Sequence, residues 1–129
     1  RVMLIDGEST QLHLVKDMLL SIGGSHLVCE TNATHSLTVL HNQTFDVIFY
    51  KLSLQDMTYE DYMGELAKCE FSGSVALLPD FNSKVFNNVP TQYEVNKVHF
   101  LGLIDQPINE EKLVQLLSRV RKLKTHIQE

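Results

Sequence analysis

Tryptophan is absent from this sequence of 129 residues, cysteine occurs twice and proline three times, and there are six glycines. So little cysteine excludes a disulfide-stapled scaffold, and so little proline and glycine excludes a collagen-like or low-complexity chain. Cys29 and Cys69 stand far apart, in segments that read as a strand and a helix end. Two buried thiols are expected, with a disulfide as the minor alternative. Long apolar runs are missing as well. None exceeds five residues, so no segment is long enough to span a membrane. Residues 1–5 have neither the apolar stretch nor the small-residue cleavage site of a signal peptide. They lack an initiator Met and run almost directly into a strand, so the chain reads as a piece of a longer cytoplasmic protein.

Positive charge is in deficit, with 11 Lys and Arg against 16 Asp and Glu and a net charge of −5. Sequence-independent binding to nucleic acid needs a basic patch. The one basic cluster, Arg119, Arg121, Lys122 and Lys124, falls in the last turns of the final helix, where cations complement the helix dipole. Direct nucleic-acid binding by this domain is not expected. The histidines at 13, 26, 35, 41, 99 and 126 show no metal-ligand spacing, and no cysteine lies near one in sequence. Gly23-Gly24 lacks the rest of a phosphate-binding fingerprint, and Ser53, Ser72 and Ser74 lack a nucleophile elbow. No cofactor and no catalytic group is expected. Asn32 and Asn42 each begin an Asn-x-Thr triplet, a pattern with weight only in a secreted protein.

What is present is an alternation of strand and helix patterns. Short apolar runs at 2–5, 46–50, 74–78 and 100–104, with a less apolar one at 26–31, read as five strands. Between them, Leu12, Val15, Met18, Leu19 and Ile22 recur at helical spacing after Ser9 and Thr10, which can cap, and before the Gly23-Gly24 stop. Residues 34–41 form a short helix carrying Leu37 and Leu40. Residues 58–69 form another, with Tyr59, Met63, Leu66 and Ala67 on one face, and Tyr59, Glu60, Asp61 and Tyr62 reading as a mixed exposed face at its start. Residues 80–98 are weakly patterned and are expected to hold at most one irregular helix. Asn109 caps the last helix, with Glu110 and Glu111 in its first turn and Leu113, Val114, Leu117, Val120 and Leu123 as its buried stripe. Five strands alternating with helices imply a doubly wound five-stranded parallel sheet, an α/β flavodoxin-like fold with helices on both faces, in a single domain over 1–129. Ligands and chemistry in such sheets gather beyond the carboxyl ends of the strands, which here are Asp6, Tyr50-Lys51, Pro79 and Asp105-Gln106-Pro107.

Leu4-Ile5-Asp6 ahead of a helix, Asp46-Val47-Ile48 leading to a loop with Met57, and Gln106-Pro107-Ile108 before the last helix resemble the response-regulator receiver family over the whole chain. The resemblance implies a phosphorylation switch. Two acidic residues after the first strand hold Mg²⁺, an aspartate after the third accepts a phosphoryl group, and a hydroxyl and a lysine after the fourth and fifth strands sense it. Position by position, the sequence departs from that pattern. Asp6 matches the first acid, but Gly7 stands at the second, with Glu8 following as a poor substitute. Lys51 stands at the acceptor, Pro79 at the hydroxyl, and Gln106 at the lysine, with only Pro107 kept. Asp46 and Asp56 are the other carboxylates near the third strand. Making either the acceptor would move the Val47-Ile48-Phe49 run out of the core. A degenerate, pseudo-receiver member of a two-component signalling protein is therefore expected. Asp6 and Glu8 are only poor metal candidates.

Lys51 beside Asp6 and Glu8 favours an internal ion pair that stands in for the metal, against a lysine that points into solvent. Function then falls to one of two classes. The first is a regulatory module acting by contacts on a linked C-terminal output domain or partner protein, in some arrangements as a homodimer through Gln115, Ser118, Arg119 and Lys122. The second is a small-ligand sensor using the crevice at the strand ends. An enzyme has only fold analogy behind it.

Overall fold

The computed structural model describes residues 1–23, 26–79, 90 and 93–128. Along the chain run β1 (Val2–Ile5), α1 (Ser9–Ser21), β2 (Leu27–Glu30), α2 (Ala33–Leu40), β3 (Val47–Lys51), α3 (Tyr59–Lys68), β4 (Ser74–Leu78), β5 (Tyr93–Val95), β6 (Val98–Leu103) and α4 (Glu110–Gln128). One six-stranded sheet has the order β2-β1-β3-β4-β6-β5, parallel throughout except for the antiparallel pair β5–β6.

Apart from Lys51 at the end of β3 and Ser74 at the start of β4, the central strands β1, β3 and β4 are apolar, because both sides of the sheet are covered. Met3, Ile5, Ile48, Tyr50, Val75 and Leu77 point to one side, under Ala33 of α2 and Tyr62, Met63 and Leu66 of α3. Leu4, Val47, Phe49, Ala76 and Leu78 point to the other, under Leu12, Val15 and Leu19 of α1 and Leu113, Leu116 and Val120 of α4. Three of the helices, α2, α3 and α4, start where a side chain satisfies an orphan N–H group. Asn32 accepts from His35, Thr58 from Asp61 and Asn109 from Lys112. Gly23, at φ +98°, follows the end of α1 in a conformation that favours glycine.

The doubly wound sheet and its helices on both faces agree with the expectation. Several details correct it. The sheet has a sixth strand, β5, folded back on β6 through Asn96-Lys97, with Asn96 at φ 54°. The irregular helix expected in 80–98 falls largely on residues outside those described. α1 begins at Ser9 with Glu8 as its N-cap and no side-chain cap, so Ser9 and Thr10 are not caps. The buried stripe of α4 is Leu113, Leu116 and Val120, with Val114 43% exposed and Leu117 half-buried. The side chain of Leu123 lies outside the described set. Tyr62, expected on an exposed face, is fully buried. Its hydroxyl is 2.8 Å from Ser36 Oγ, and its ring is 4.5 Å from that of Tyr50. Cys69 is exposed and Cys29 half-buried, and both are free thiols.

Candidate functional site

In the sheet register Ile5 lies beside Tyr50, so the next residues, Asp6 and Lys51, emerge side by side at the carboxyl ends of β1 and β3. There the strand order reverses, since β1 crosses to β2 on one side and the chain then returns to β3 on the other. Open α/β sheets bind their ligands at this point. Asp6 Oδ1 accepts the Glu8 N–H at 2.9 Å and the Lys51 ammonium at 3.2 Å. Both side chains are covered, at 0% exposure for Asp6 and 4% for Lys51. Asp6 Oδ2 is buried and has no hydrogen-bond partner. Burial raises the Asp6 pKa, and the Glu8 N–H and the Lys51 charge oppose that rise without cancelling it.

Above this pair lies a cleft of about 530 Å³, within the usual size range of small-molecule sites. Asp6, Gly7, Glu8 and Lys51 line it, joined by residues of two loops: Thr31 and Asn32 after β2, and Ser53, Leu54, Gln55 and Asp56 after β3. Of the site residues expected from sequence, the structure brings together Asp6, Gly7, Glu8 and Lys51. Pro79, Gln106 and Pro107 stand at the same end of the sheet but do not line the cleft. The Pro79 carbonyl accepts a hydrogen bond from buried Gln11 at 2.8 Å, and the Gln106–Pro107 peptide is cis. Glu8 and Asp6 line one cleft, but only the Glu8 backbone is seen to bond Asp6.

Sequence reasoning set Asp56 aside as a loop residue, and the structure returns it to the site. Its carboxylate accepts the Ala33 and Thr34 N–H groups at 3.1 and 3.0 Å and the Thr34 hydroxyl at 2.9 Å, so it caps α2 from a distance in sequence. Burial alone would raise its pKa, but these hydrogen bonds outweigh it and hold the carboxyl below its ordinary value. Asp46 sits at the opposite end of the sheet, 2.9 Å from the chain's amino terminus. Gln11 was missed altogether; a lone polar residue beside an apolar helical stripe gives no signal of its own.

No protein-family model and no curated protein matches the chain at the level of sequence. Solved structures match it closely in shape. A response regulator receiver domain protein from Clostridium thermocellum superposes with a TM-score of 0.73 at 17% identity, over 98% of this chain and 97% of that one. The N-terminal domain of a response regulator/sensory box/GGDEF 3-domain protein from Carboxydothermus hydrogenoformans gives 0.73 at 11% identity, over 99% and 98%. The signal receiver domain of an HD domain-containing protein from Pseudomonas fluorescens Pf-5 gives 0.72 at 17%, over 98% and 90%.

The chain has the receiver fold. A receiver's divalent cation, however, does not suit the residues at this site. The carboxylate that would hold it already takes an ammonium 3.2 Å away, and the neighbouring position is Gly7, which has no ligand atom in its side chain. A Mg²⁺ ion would have to displace Lys51 and would then find Asp6 without a second carboxylate at the Gly7 position, too few oxygen ligands for a cation that demands near-octahedral coordination. Among the described residues no group of three or more His, Cys, Asp or Glu is placed to hold a metal, and no helix is long and apolar enough to cross a membrane.

Proposed function

We propose that this is a receiver-fold regulatory domain that takes up no phosphoryl group and acts through contacts with a linked output domain or a partner protein. The observation that carries this reading is the Lys51–Asp6 pair. A lysine, buried and ion-paired, occupies the end of β3, where receivers present an aspartate. An acyl phosphate needs a carboxylate nucleophile, a cation to offset charge on the transferring group, and donors for its oxygens. Lys51 supplies no carboxylate, Pro79 no donor, and Gln106 no positive charge. The chain is proposed to carry out no reaction of its own. The receiver domains of the HD and GGDEF proteins named above belong to longer chains, which supports an output domain or partner here too.

Incubation with acetyl phosphate and Mg²⁺ is expected to leave the intact mass unchanged. An acid-labile gain of one phosphoryl group, mapped near Lys51, would overturn the reading. The contact face is proposed to be the outer side of α4, where Gln115, Ser118 and Arg119 are exposed; Lys122 lies beyond the described side chains. Arg119 is anchored there by a bond from its guanidinium to the Leu101 carbonyl at 3.4 Å. Self-association in sedimentation that is weakened by Ser118→Glu, with the melting temperature kept, is the expected result for a homodimer on that face. A monomer at high concentration removes the homodimer and leaves a heterologous partner.

The cleft supports a second reading, a small-ligand sensor, because its size and position suit a bound molecule. A sensor gains thermal stability with its ligand, whereas a contact module gains it only with its partner.

A further inference from the structure

We propose that the cleft above Asp6 and Lys51 is a binding site for a small organic cation, an alkylammonium or guanidinium compound, which competes with the Lys51 ammonium for Asp6. The proposal rests on the second reading above, that the input to this domain is a bound molecule. Three observations select a cation.

The first is charge. Among the described residues, Asp6, Glu8 and Asp56 line the cleft with three carboxylates against the single ammonium of Lys51, and that ammonium is already on Asp6. An anion would enter a field of its own sign.

The second is the state of the donors. Helix N-termini and turn N–H groups are the usual cradle of an anion. Here the first N–H groups of α2, on Ala33 and Thr34, and the Thr34 hydroxyl are given to Asp56, and the Glu8 N–H is given to Asp6. These backbone donors are turned to the cleft's own carboxylates and away from an incoming anion.

The third observation is independent of the carboxylate count. Asp6 Oδ2 is fully buried in the cleft wall and bonded to nothing, a rare condition for a carboxylate oxygen. A ligand N–H group would supply what it lacks. Because the atom is closed to solvent, a ligand reaches it through a local shift of the cleft wall. The long, flexible Lys51 side chain can give way for this, while exposed Glu8 offers the incoming charge its first contact. Occupancy would then be reported by movement of Lys51 at the end of a central strand, the position at which the receiver resemblance puts the phosphoryl acceptor.

Titration of the ¹⁵N-labelled chain with spermidine, agmatine and putrescine, against inorganic phosphate and Mg²⁺ in separate arms, tests the proposal. Saturable shifts confined to the amides of Gly7, Glu8, Asn32 and Lys51 are expected with at least one amine, and none with phosphate or Mg²⁺. Glu8→Gln removes one charge, keeps the backbone N–H that bonds Asp6, and is expected to weaken that amine by about tenfold. Saturable binding of phosphate or of Mg²⁺ at these amides, shifts that spread over the acidic surface without saturating, or an affinity unchanged in Glu8→Gln would each overturn it. So would no response to any amine. None of these outcomes bears on phosphoryl transfer, which the mass measurement decides separately.

Discussion

Lys51 and Asp6 are both covered, and this changes the expected consequence of removing either one. An exposed pair contributes little, but a buried carboxylate left without its counter-charge costs about 3–5 kcal/mol. Lys51→Ala is therefore expected to lower stability by about 3 kcal/mol near neutral pH, and the loss should depend on pH. Burial holds the folded-state pKa of Asp6 above its ordinary value of 3.8. Over that interval the folded chain binds the extra proton, so the stability linked to this group is fully present below the unfolded value and is lost as pH rises through the folded one. Lys51 pulls the folded value down, and removing it lets that value climb further. The cost of Lys51→Ala should thus shrink in acid, where Asp6 goes neutral, and be largest at neutral pH. Urea titrations of both proteins at several pH values check this, and a pH-independent difference would mean that Asp6 does not feel Lys51. Asp6→Asn with Lys51→Met removes both charges together and is expected to recover much of the loss, giving strong coupling in a double-mutant cycle.

Among the elements, α2 is the one whose start depends on a residue distant in sequence. Its own cap, Asn32, satisfies His35, while Asp56 satisfies Ala33 and Thr34 and ties the loop after β3 to the helix. Asp56→Ala is expected to cost about 1–2 kcal/mol, as loss of a helix cap does. The folded-state pKa of Asp56 is lowered, so its contribution is present above the unfolded value and fades as pH falls through the folded one. A stability difference between wild type and variant that persists undiminished in strong acid would contradict this role. β4 begins under a different constraint. A Cβ on Gly73 would come within 2.6 Å of the Asp46 carbonyl oxygen and of the Phe71 ring. Gly73→Ala is expected to cost about 1–3 kcal/mol, because backbone is the obstacle and cannot turn aside. An unchanged denaturation midpoint would show that the strand entry shifts freely.

For the whole molecule, legibility in the sequence followed how local the determining forces are. β3 was readable because a strand covered on both faces needs apolar residues throughout, and the start of α4 because Asn109, Glu110 and Glu111 mark it. The Asp6–Lys51 pair was readable from parallel register, which sets the ends of β1 and β3 side by side. β5 was not, since three residues with one exposed Glu carry no period. Tyr62 was misplaced because its burial depends on Tyr50 and Ser36, which reach it only in the folded chain. The role of Asp56 depends in the same way on a loop closing over α2. The two cores share their strands, since successive residues of β1, β3 and β4 face opposite sides. Neither side can lose its helices without exposing strands that the other side also needs, so unfolding should be a single transition. Leu66 of α3 and Leu113 of α4 are both fully buried, one in each core. Leu66→Ala and Leu113→Ala are each expected to cost about 2–5 kcal/mol. With the sheet between them, the two losses should add to within about 0.5 kcal/mol. If the cores form one cooperative unit, both variants lower the urea midpoint and leave the slope unchanged, with circular dichroism and tyrosine fluorescence tracing the same curve. A reduced slope or divergent probes in only one variant would show that one face of the sheet opens by itself.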